Sequence, residues 1–251
     1  MGFRVGTINP GDPPDAFPDP AAAGIALGYP DGLIAIGGDL SPPRLLAAYR
    51  RGIFPWYNDD QPILWWSPDP RAVIAPERFH MSRSLRKAIR RQNWSYSVNQ
   101  CFARVIAGCA DERGEHGTWI TPEMSAAFTE LHALGYAHSV ESWCDGALAG
   151  GLYGVRLGRV FFAESMFSLQ TNGSKVALSA LISMAPGEHL DLIDCQLESP
   201  HLSTLGMHTM PRSDFLTLLA KLTTHCRPEP AWQCAPVSAK ELATLRPPAT
   251  C

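Results

Sequence analysis

The spacing of apolar and polar positions divides this chain into helical and extended stretches. At about 100° per residue, Met81, Leu85 and Ile89 fall in one narrow sector, which predicts a helix over 81–91. Arg83, Arg86, Lys87 and Arg90 fall on the opposite side, with Arg91 at its edge, so that face is wholly basic. The stretches 137–144, 147–156 and 159–167 read as strands. Asp145-Gly146 between the first two is a hairpin signal, and Leu157-Gly158 marks a second tight turn. Thr121-Pro122-Glu123 is an N-cap, a first-turn proline and an early acid; it opens a helix to about Leu134, which Gly135 ends. Ser174 is placed to cap a helix over 175–185, and 190–197 is again strand-like. Ser41-Pro42-Pro43 opens a short helix over 42–51, with Gly52 as its stop. A last amphipathic helix covers 214–222.

The order helix, three antiparallel strands, helix, strand predicts an α+β class. Residues 52–70 are aromatic and proline-rich, which suits a loop or an edge strand and not a central one. Residues 1–23 are rich in Pro, Gly and Asp and read as an extended arm. Residues 227–251 carry five prolines without periodicity and read as a poorly packed tail. A boundary near residue 70 divides a small N-terminal α/β domain, 1–70, from a larger domain, 71–251.

A chain of 251 residues can bury a sizeable core and holds one domain or two. A net charge of −3 by itself argues against a polyanionic partner. The distribution reverses that inference. From Arg78 to Ala110 there is no acid but there are seven Lys and Arg residues, and local clustering decides whether a polyanion docks. Seven cysteines at irregular spacings, with no C-x-x-C pair, are expected to be free thiols in a reducing compartment. The eight histidines do not pair with Cys or carboxylates at ligand spacing, so no metal is expected. No charged segment followed by an apolar stretch suggests a secretory signal. No apolar run approaches the roughly 18–20 residues of a membrane span. A cytoplasmic location is therefore expected.

Five unusual runs lie in order along the chain: GIFPWYNDDQPILWWSPDPRAVI at 52–74, GTWIT at 117–121, FFAESMFS at 161–168, NGSKVAL at 172–178 and LIDCQ at 192–196. Together, over roughly 24–222, they resemble the leucyl/phenylalanyl-tRNA–protein transferase family. The resemblance implies an acyltransferase core like that of the N-acetyltransferase (GNAT) superfamily in the larger domain. It implies transfer of Leu, Phe and, less readily, Met from aminoacyl-tRNA to the N-terminal α-amine of proteins beginning with Arg or Lys. That modification marks them for degradation that depends on the N-terminal residue. The partners implied are Leu-tRNA, Phe-tRNA and Met-tRNA as donors and such proteins or peptides as acceptors. No cofactor is implied, and the chain is expected to act as a monomer.

The resemblance assigns Asp194, Gln196 and Glu164 to catalysis. It assigns Trp56 and Trp119 as aromatic walls for the terminal adenosine, with Tyr49 beside them. Stacking on an indole contributes roughly 1–3 kcal/mol per base without reading the base edge. Leu152, Met166, Leu178, Leu181 and Ile193 are implied to line the donor side-chain pocket; from sequence alone those five are core, as are Trp65 and Trp66. The family pattern usually has Gly before the glutamate, and this chain has Ala163, whose methyl narrows the adjacent pocket. Arg83, Arg86, Lys87, Arg90 and Arg91 are expected to contact tRNA phosphates, although a basic helix face is also compatible with plain solvation.

The reaction that the resemblance implies is ester aminolysis. It asks the protein to orient an amine, accept its proton and stabilise an oxyanion. Strict strand alternation puts Asp194 and Gln196 on one face, with Ile193, Cys195 and Leu197 on the other. A neutral amide is a very weak base, so Gln196 is expected to position the amine and Asp194 to draw off the proton. A polar pair at a strand end also serves simply to satisfy loop backbone. Glu164, inside an apolar run, needs a partner. An internal Arg, backbone amides, or the basic end of an acceptor would each serve; the resemblance implies the last.

Two other functions fit parts of the chain. An acyl-CoA-dependent N-acyltransferase of the same fold would need a pyrophosphate-binding turn, and 168–178 offers only Gln170 and Gly173 in suggestive places. A non-catalytic RNA-binding module would use the basic helix and leave the carboxylates without purpose.

Overall fold

The computed structural model describes residues 4–23, 29–111, 120–185, 187–224, 227–228 and 232–245. The N-terminal part forms a four-stranded sheet from β1 (Gly6–Ile8), β2 (Leu33–Gly37), β3 (Phe54–Pro55) and β4 (Leu64–Trp66), in the order β1-β2-β4-β3. The segment 52–70 thus supplies an interior strand as well as the expected edge strand. Pro62, Pro68 and Pro70 flank β4 without entering it, so it loses no ladder donor, and Pro55 sits on the edge strand β3 where its missing N–H is tolerated. Helix α1 (Pro42–Arg50) ends before Gly52, whose φ of +68° is the left-handed stop.

The arm before β2 has few ladder bonds of its own. Two arginines satisfy its carbonyls instead. Arg44 donates to the carbonyls of Asp12 and Pro13, and Arg51 to those of Asp15, Phe17 and Pro18. Phe17 packs edge-on against Trp65, which is fully buried.

The larger sheet has eight strands. They are β5 (Arg71–Ile74), β6 (Trp94–Val98), β7 (Ala137–Cys144), β8 (Ala147–Leu157), β9 (Val160–Ser168), β10 (Leu192–Gln196), β11 (His208–Met210) and β12 (Cys234–Ser238). Their spatial order is β11-β5-β10-β9-β8-β7-β6-β12. The fold is α+β. Strands β7, β8 and β9 fall where the alternation puts them, and Asp145 and Gly146 both take positive φ in the hairpin. β10 returns parallel to β9 after helix α5 (Gly173–Met184). That helix begins earlier than expected: Asn172, in the left-handed region, is its N-cap, and no side chain caps it. Ser174 lies inside the helix, with its own N–H bound to Ser168 Oγ.

Side chains on adjacent strand positions go to opposite faces. Val73, Phe162 and Leu192 join the core shared with the N-terminal sheet, α1, α3 (Phe102–Asp111), α4 (Pro122–Ala133) and α7 (Arg212–Leu222). Ile74, Phe161 and Ile193 join the opposite core, under α2 (Arg83–Arg91) and α5. Strands β5, β6, β11 and β12 and helix α3 carried no strong sequence signal, being short or lacking punctuation.

The described residues 232–245 of the expected poorly packed tail are packed onto the fold instead. β12 pairs antiparallel with β6, and a 3-10 turn at Ala239–Thr244 follows. Trp232, Ala239, Leu242 and Ala243 are buried in the core beneath α2 and α5. A few apolar side chains suffice to anchor the segment, and they are too few to show periodicity. Leu242, 2% exposed, tests this. Leu242→Ala is expected to lower unfolding free energy by about 2–5 kcal/mol in urea titrations. A loosely attached tail would give a change within about 0.5 kcal/mol.

Candidate active site

The parallel pair β9–β10 stays in register only from Leu192–Val160 to Asp194–Phe162. Beyond that point the two strands part, and both are bulged. On β9, Ser165 pairs with Tyr153 and Ala163 with Gly154, leaving Glu164 as the inserted residue. On β10, Asp194 pairs with Val73 and Gln196 with Ala72, leaving Cys195 inserted. Bulges re-aim side chains and end pairing. Here they turn Glu164 and Gln196 toward each other across the gap, where Gln196 Nε2 donates to Glu164 Oε1 at 2.9 Å.

Gln196 has a φ of +61°, a left-handed conformation unusual for a side chain of this size. Its backbone N–H donates to Asp194 Oδ1 at 3.0 Å, which helps hold it there. Asp194 in turn takes a two-pronged pair from Arg71, Nε to Oδ1 at 2.8 Å and Nη2 to Oδ2 at 2.6 Å. Both side chains are fully buried. The bulge and the turn break the strict alternation expected of β10. Asp194 is committed to Arg71, whereas Gln196 faces the gap.

Two cavities meet at Glu164, Cys195 and Gln196. The first, about 170 Å³, is walled by Phe54, Pro55, Trp56 and Leu197. The second, about 220 Å³, is lined by apolar groups that include Ile74, Ala163, Met166, Leu178, Ile193 and Leu202, with Ser199 and His201 among its polar ones. A larger cavity of about 740 Å³ lies between the turn at Pro76–Arg78, the start of β10 and α7. Size does not make it the better candidate, because it contains neither of the two facing polar groups that mark the smaller pair.

Glu164 is buried, and that burial pushes its carboxyl from an ordinary 4.5 up to about 8. The Tyr49 hydroxyl, Arg71 and the Gln196 amide pull in the other direction, and the charge on Asp194 adds to the rise. Tyr49 is fully buried beside this carboxylate, although its hydroxyl lacks a hydrogen bond of good geometry. Burial and the nearby Glu164 hold its phenol well above the usual tyrosine range.

The other expected residues distribute as follows. Trp56 is 41% exposed at the mouth of the first cavity, and Trp66 packs edge-on against it and donates to its carbonyl at 2.7 Å. Trp66 is therefore half-buried beside the site, not deep core. Trp119 lies outside the described residues. Met166, Leu178 and Ile193 line the second cavity, as does the methyl of Ala163. Leu152 and Leu181 are buried in the apolar cluster that contains those residues but do not line the cavity. Helix α2 starts at Arg83 behind the Ser82 N-cap, two residues later than expected; Leu85 and Ile89 on it and Met81 just before it are buried, and Arg83, Lys87, Arg90 and Arg91 are exposed. Arg86 is partly tied down, donating to the carbonyls of Met81 and Ala243; Arg90 also reaches Ala243. Arg71 was not singled out in the sequence. Its signal was a charged residue opening the apolar run Ala72-Val73-Ile74, which needed a buried partner.

Comparison with known proteins gives the family of the chain. A family model described as leucyl/phenylalanyl-tRNA protein transferase matches residues 73–220, and one described as its N-terminal domain matches 38–69. A leucyl/phenylalanyl-tRNA–protein transferase from Desulfatibacillum aliphaticivorans is 53% identical over 205 residues, covering 81% of this chain and 86% of its own. One from Methylococcus capsulatus is 50% identical over 231 residues, 91% of this chain and 97% of its own. These likenesses define an aminoacyltransferase. The chain belongs to the leucyl/phenylalanyl-tRNA–protein transferase family. Among solved structures, L-PGS from Bacillus licheniformis superposes with a TM-score of 0.38 at 10% identity, over 64% of this chain and 55% of that one. No helix among the described residues is long and apolar enough to cross a membrane.

The raised pKa of Glu164 carries a consequence for stability. Between the unfolded value and about 8, the unfolded chain is ionised while the folded chain keeps the proton. The unfolded state then binds fewer protons, so this group's contribution to stability falls as pH rises through that window. Glu164→Gln removes the contribution. Its stability relative to the parent protein should therefore grow between about pH 5 and 8 in urea titrations. Parallel curves for the two proteins would mean that Glu164 is not held protonated.

Proposed function

We propose that the protein transfers Leu or Phe, and less readily Met, from aminoacyl-tRNA to the N-terminal α-amine of proteins that begin with Arg or Lys. The products enter degradation that depends on the N-terminal residue, and the protein works as a cytoplasmic monomer with a GNAT-like larger domain. The observation that carries this reading is the Glu164–Gln196 contact, set where β9 and β10 part and flanked by an aromatic-walled cavity and an apolar one. The parallel return of β10 after α5 supports the GNAT-like assignment.

In this reading the terminal adenosine stacks on Trp56, with Trp119 as the other wall and Tyr49 beneath. The donor side chain enters the cavity of Met166, Leu178 and Ile193, backed by Leu152 and Leu181. The ester carbonyl then lies over the Glu164–Gln196 contact. The acceptor amine attacks the carbonyl carbon, and the tetrahedral intermediate expels the ribose oxygen. An ammonium loses two protons on becoming an amide. One passes to Glu164 in its ionised form, and the other leaves on the ribose hydroxyl. An α-amine has a pKa near 7.7–8.0, so a carboxyl at about 8 is well matched to exchange a proton with it. Gln196 orients the amine through its amide oxygen. Asp194, occupied by Arg71, contributes by holding the Gln196 turn, which replaces its expected role as direct proton acceptor.

An acyl-CoA site is disfavoured by the start of α5. The Gly173 and Ser174 amides are already bound, to the Gln170 carbonyl and Ser168 Oγ, and so do not cradle a pyrophosphate. A Cβ on Gly173 would lie 2.1 Å from the Ala149 carbonyl oxygen, so the glycine serves close helix–strand packing.

Incubation with labelled leucyl-tRNA and an Arg-initiated peptide should place the label on the peptide. The apolar cavity should also favour Leu over Val by fit alone. Such fit supplies only about 1–3 kcal/mol, so the preference should be leaky. Equal transfer from valyl- and leucyl-tRNA would remove the shape-selective pocket, and no transfer from any donor would remove the activity.

The basic side of α2, with Arg83, Lys87, Arg90 and Arg91 exposed and Arg86 half-buried among them, is proposed to follow the tRNA backbone. Replacing Arg83 and Lys87 with Ala should weaken all donor tRNAs alike and lower the salt slope of binding by about one unit per phosphate contact. An unchanged slope would make this face merely solvated.

A further inference from the structure

Arg71 is bound on every side. Its Nε and Nη2 take both oxygens of Asp194, and its Nη1 donates to the Gly52 carbonyl at 3.0 Å. The guanidinium lies 4.9 Å from the ring centre of Phe54 and 4.6 Å from that of Phe215. One planar group therefore spans three parts of the molecule: β10 through Asp194, the Gly52–Trp56 segment through a carbonyl and a ring, and α7 through Phe215. Both cavities depend on these elements. Gln196 stands on the turn that Asp194 fastens, and Phe54 and Trp56 form the wall of the first cavity.

We infer that Arg71 is a positioning residue for aminoacyl transfer, fixing the Gln196 turn and the Phe54–Trp56 wall in register while neutralising Asp194 beside Glu164. The inference rests on the proposed transfer function. A lysine could not do the same. Its ammonium is a point charge, whereas the fork matches a carboxylate bidentately and still spares an N–H for Gly52.

The electrostatic part follows from what surrounds Glu164. Tyr49 faces it from α1, Arg71 from β5, and Asp194 and Gln196 from β10. The Cys195 thiol and the His201 imidazole line the adjoining cavity. Arg71 favours the ionised carboxylate and Asp194 opposes it, so the two act on Glu164 in opposite directions. Removing either partner alone unbalances the site, in opposite directions.

The test has two arms. In the first, the Glu164 titration is followed by infrared difference spectroscopy on the free protein, using the protonated-carboxyl band that Glu164→Gln lacks. Arg71→Met should move the midpoint up and Asp194→Asn should move it down. In the second, single-turnover transfer is measured from leucyl-tRNA to an Arg-initiated peptide. Arg71→Lys should slow transfer about 100-fold, as expected for a small misplacement of reacting groups, while donor affinity falls less than about tenfold. Should Arg71→Met fail to fold, Arg71→Met/Asp194→Leu replaces the buried pair with apolar groups, a change that is often tolerated. That double variant should fold and transfer poorly.

An Arg71→Lys or double variant at the parent rate would overturn the inference. So would a rate loss with no movement of the Glu164 midpoint, which would leave Arg71 a purely structural residue. Failure of the parent protein itself to transfer would count against the proposed function, and the infrared arm would still read the hold of Arg71 and Asp194 on Glu164.

Discussion

A guanidinium and a carboxylate buried together set the geometry of this site. Removing such ions from water costs several kcal/mol each, recovered only when the charges and the remaining hydrogen-bonding groups are all matched. Arg71 and Asp194 meet that demand with two direct bonds, a carbonyl, a backbone amide and two aromatic faces. So complete a set of partners leaves little freedom. The ends of β5 and β10, the segment after Gly52 and the ring of Phe215 are held to one arrangement, because displacing any of them would strand a buried charge or an unpaired polar group.

The opening between β9 and β10 is the second consequence. Parallel strands normally continue side by side while their amides pair. Here pairing stops at Phe162 and Asp194, and an inserted residue on each strand turns the chains apart. Groups exposed by that divergence would be costly in an apolar interior. The Gln196 amide and the Glu164 carboxyl satisfy one another instead, with Tyr49 alongside. The result is a polar contact held between two apolar hollows. A polarised ester is suited to such a place, since fixed dipoles act more strongly where water is excluded.

The large sheet separates two duties. One face carries the core shared with the N-terminal sheet, whose β3 edge supplies the aromatic wall. The other face carries α5 and the basic helix α2, which is steadied by the C-terminal 3-10 turn through Arg86 and Arg90. The tail is thus part of the support for the basic surface. In the proposed function, the long polyanionic part of the donor and its small reacting end are met by different layers of one fold.

Much of this was legible in the sequence because it depends on local rules. Periodicity placed α2 and the three strands β7 to β9, capping residues placed α1 and α4, and Gly52, Gly135 and Asp145-Gly146 marked ends of α1, α4 and β7 through backbone conformations that few residues accept. The five motif runs identified the family and pointed to Glu164, Gln196 and Trp56. Strands β5, β11 and β12 were not legible, since a strand of three to five residues is stabilised by its neighbours and not by its own pattern. Nor was the partner of Asp194. Arg71 lies 123 residues away in the chain, and their pairing exists only because β5 and β10 are neighbours in the sheet. Alternation put Asp194 and Gln196 on one face, whereas the bulge between them sends Asp194 to Arg71 and Gln196 to the gap, because a bulge is set by cross-strand register, which a single strand does not encode. Local pattern and the motif runs therefore determined the elements and the family, and long-range pairing decided which of the candidate side chains face one another.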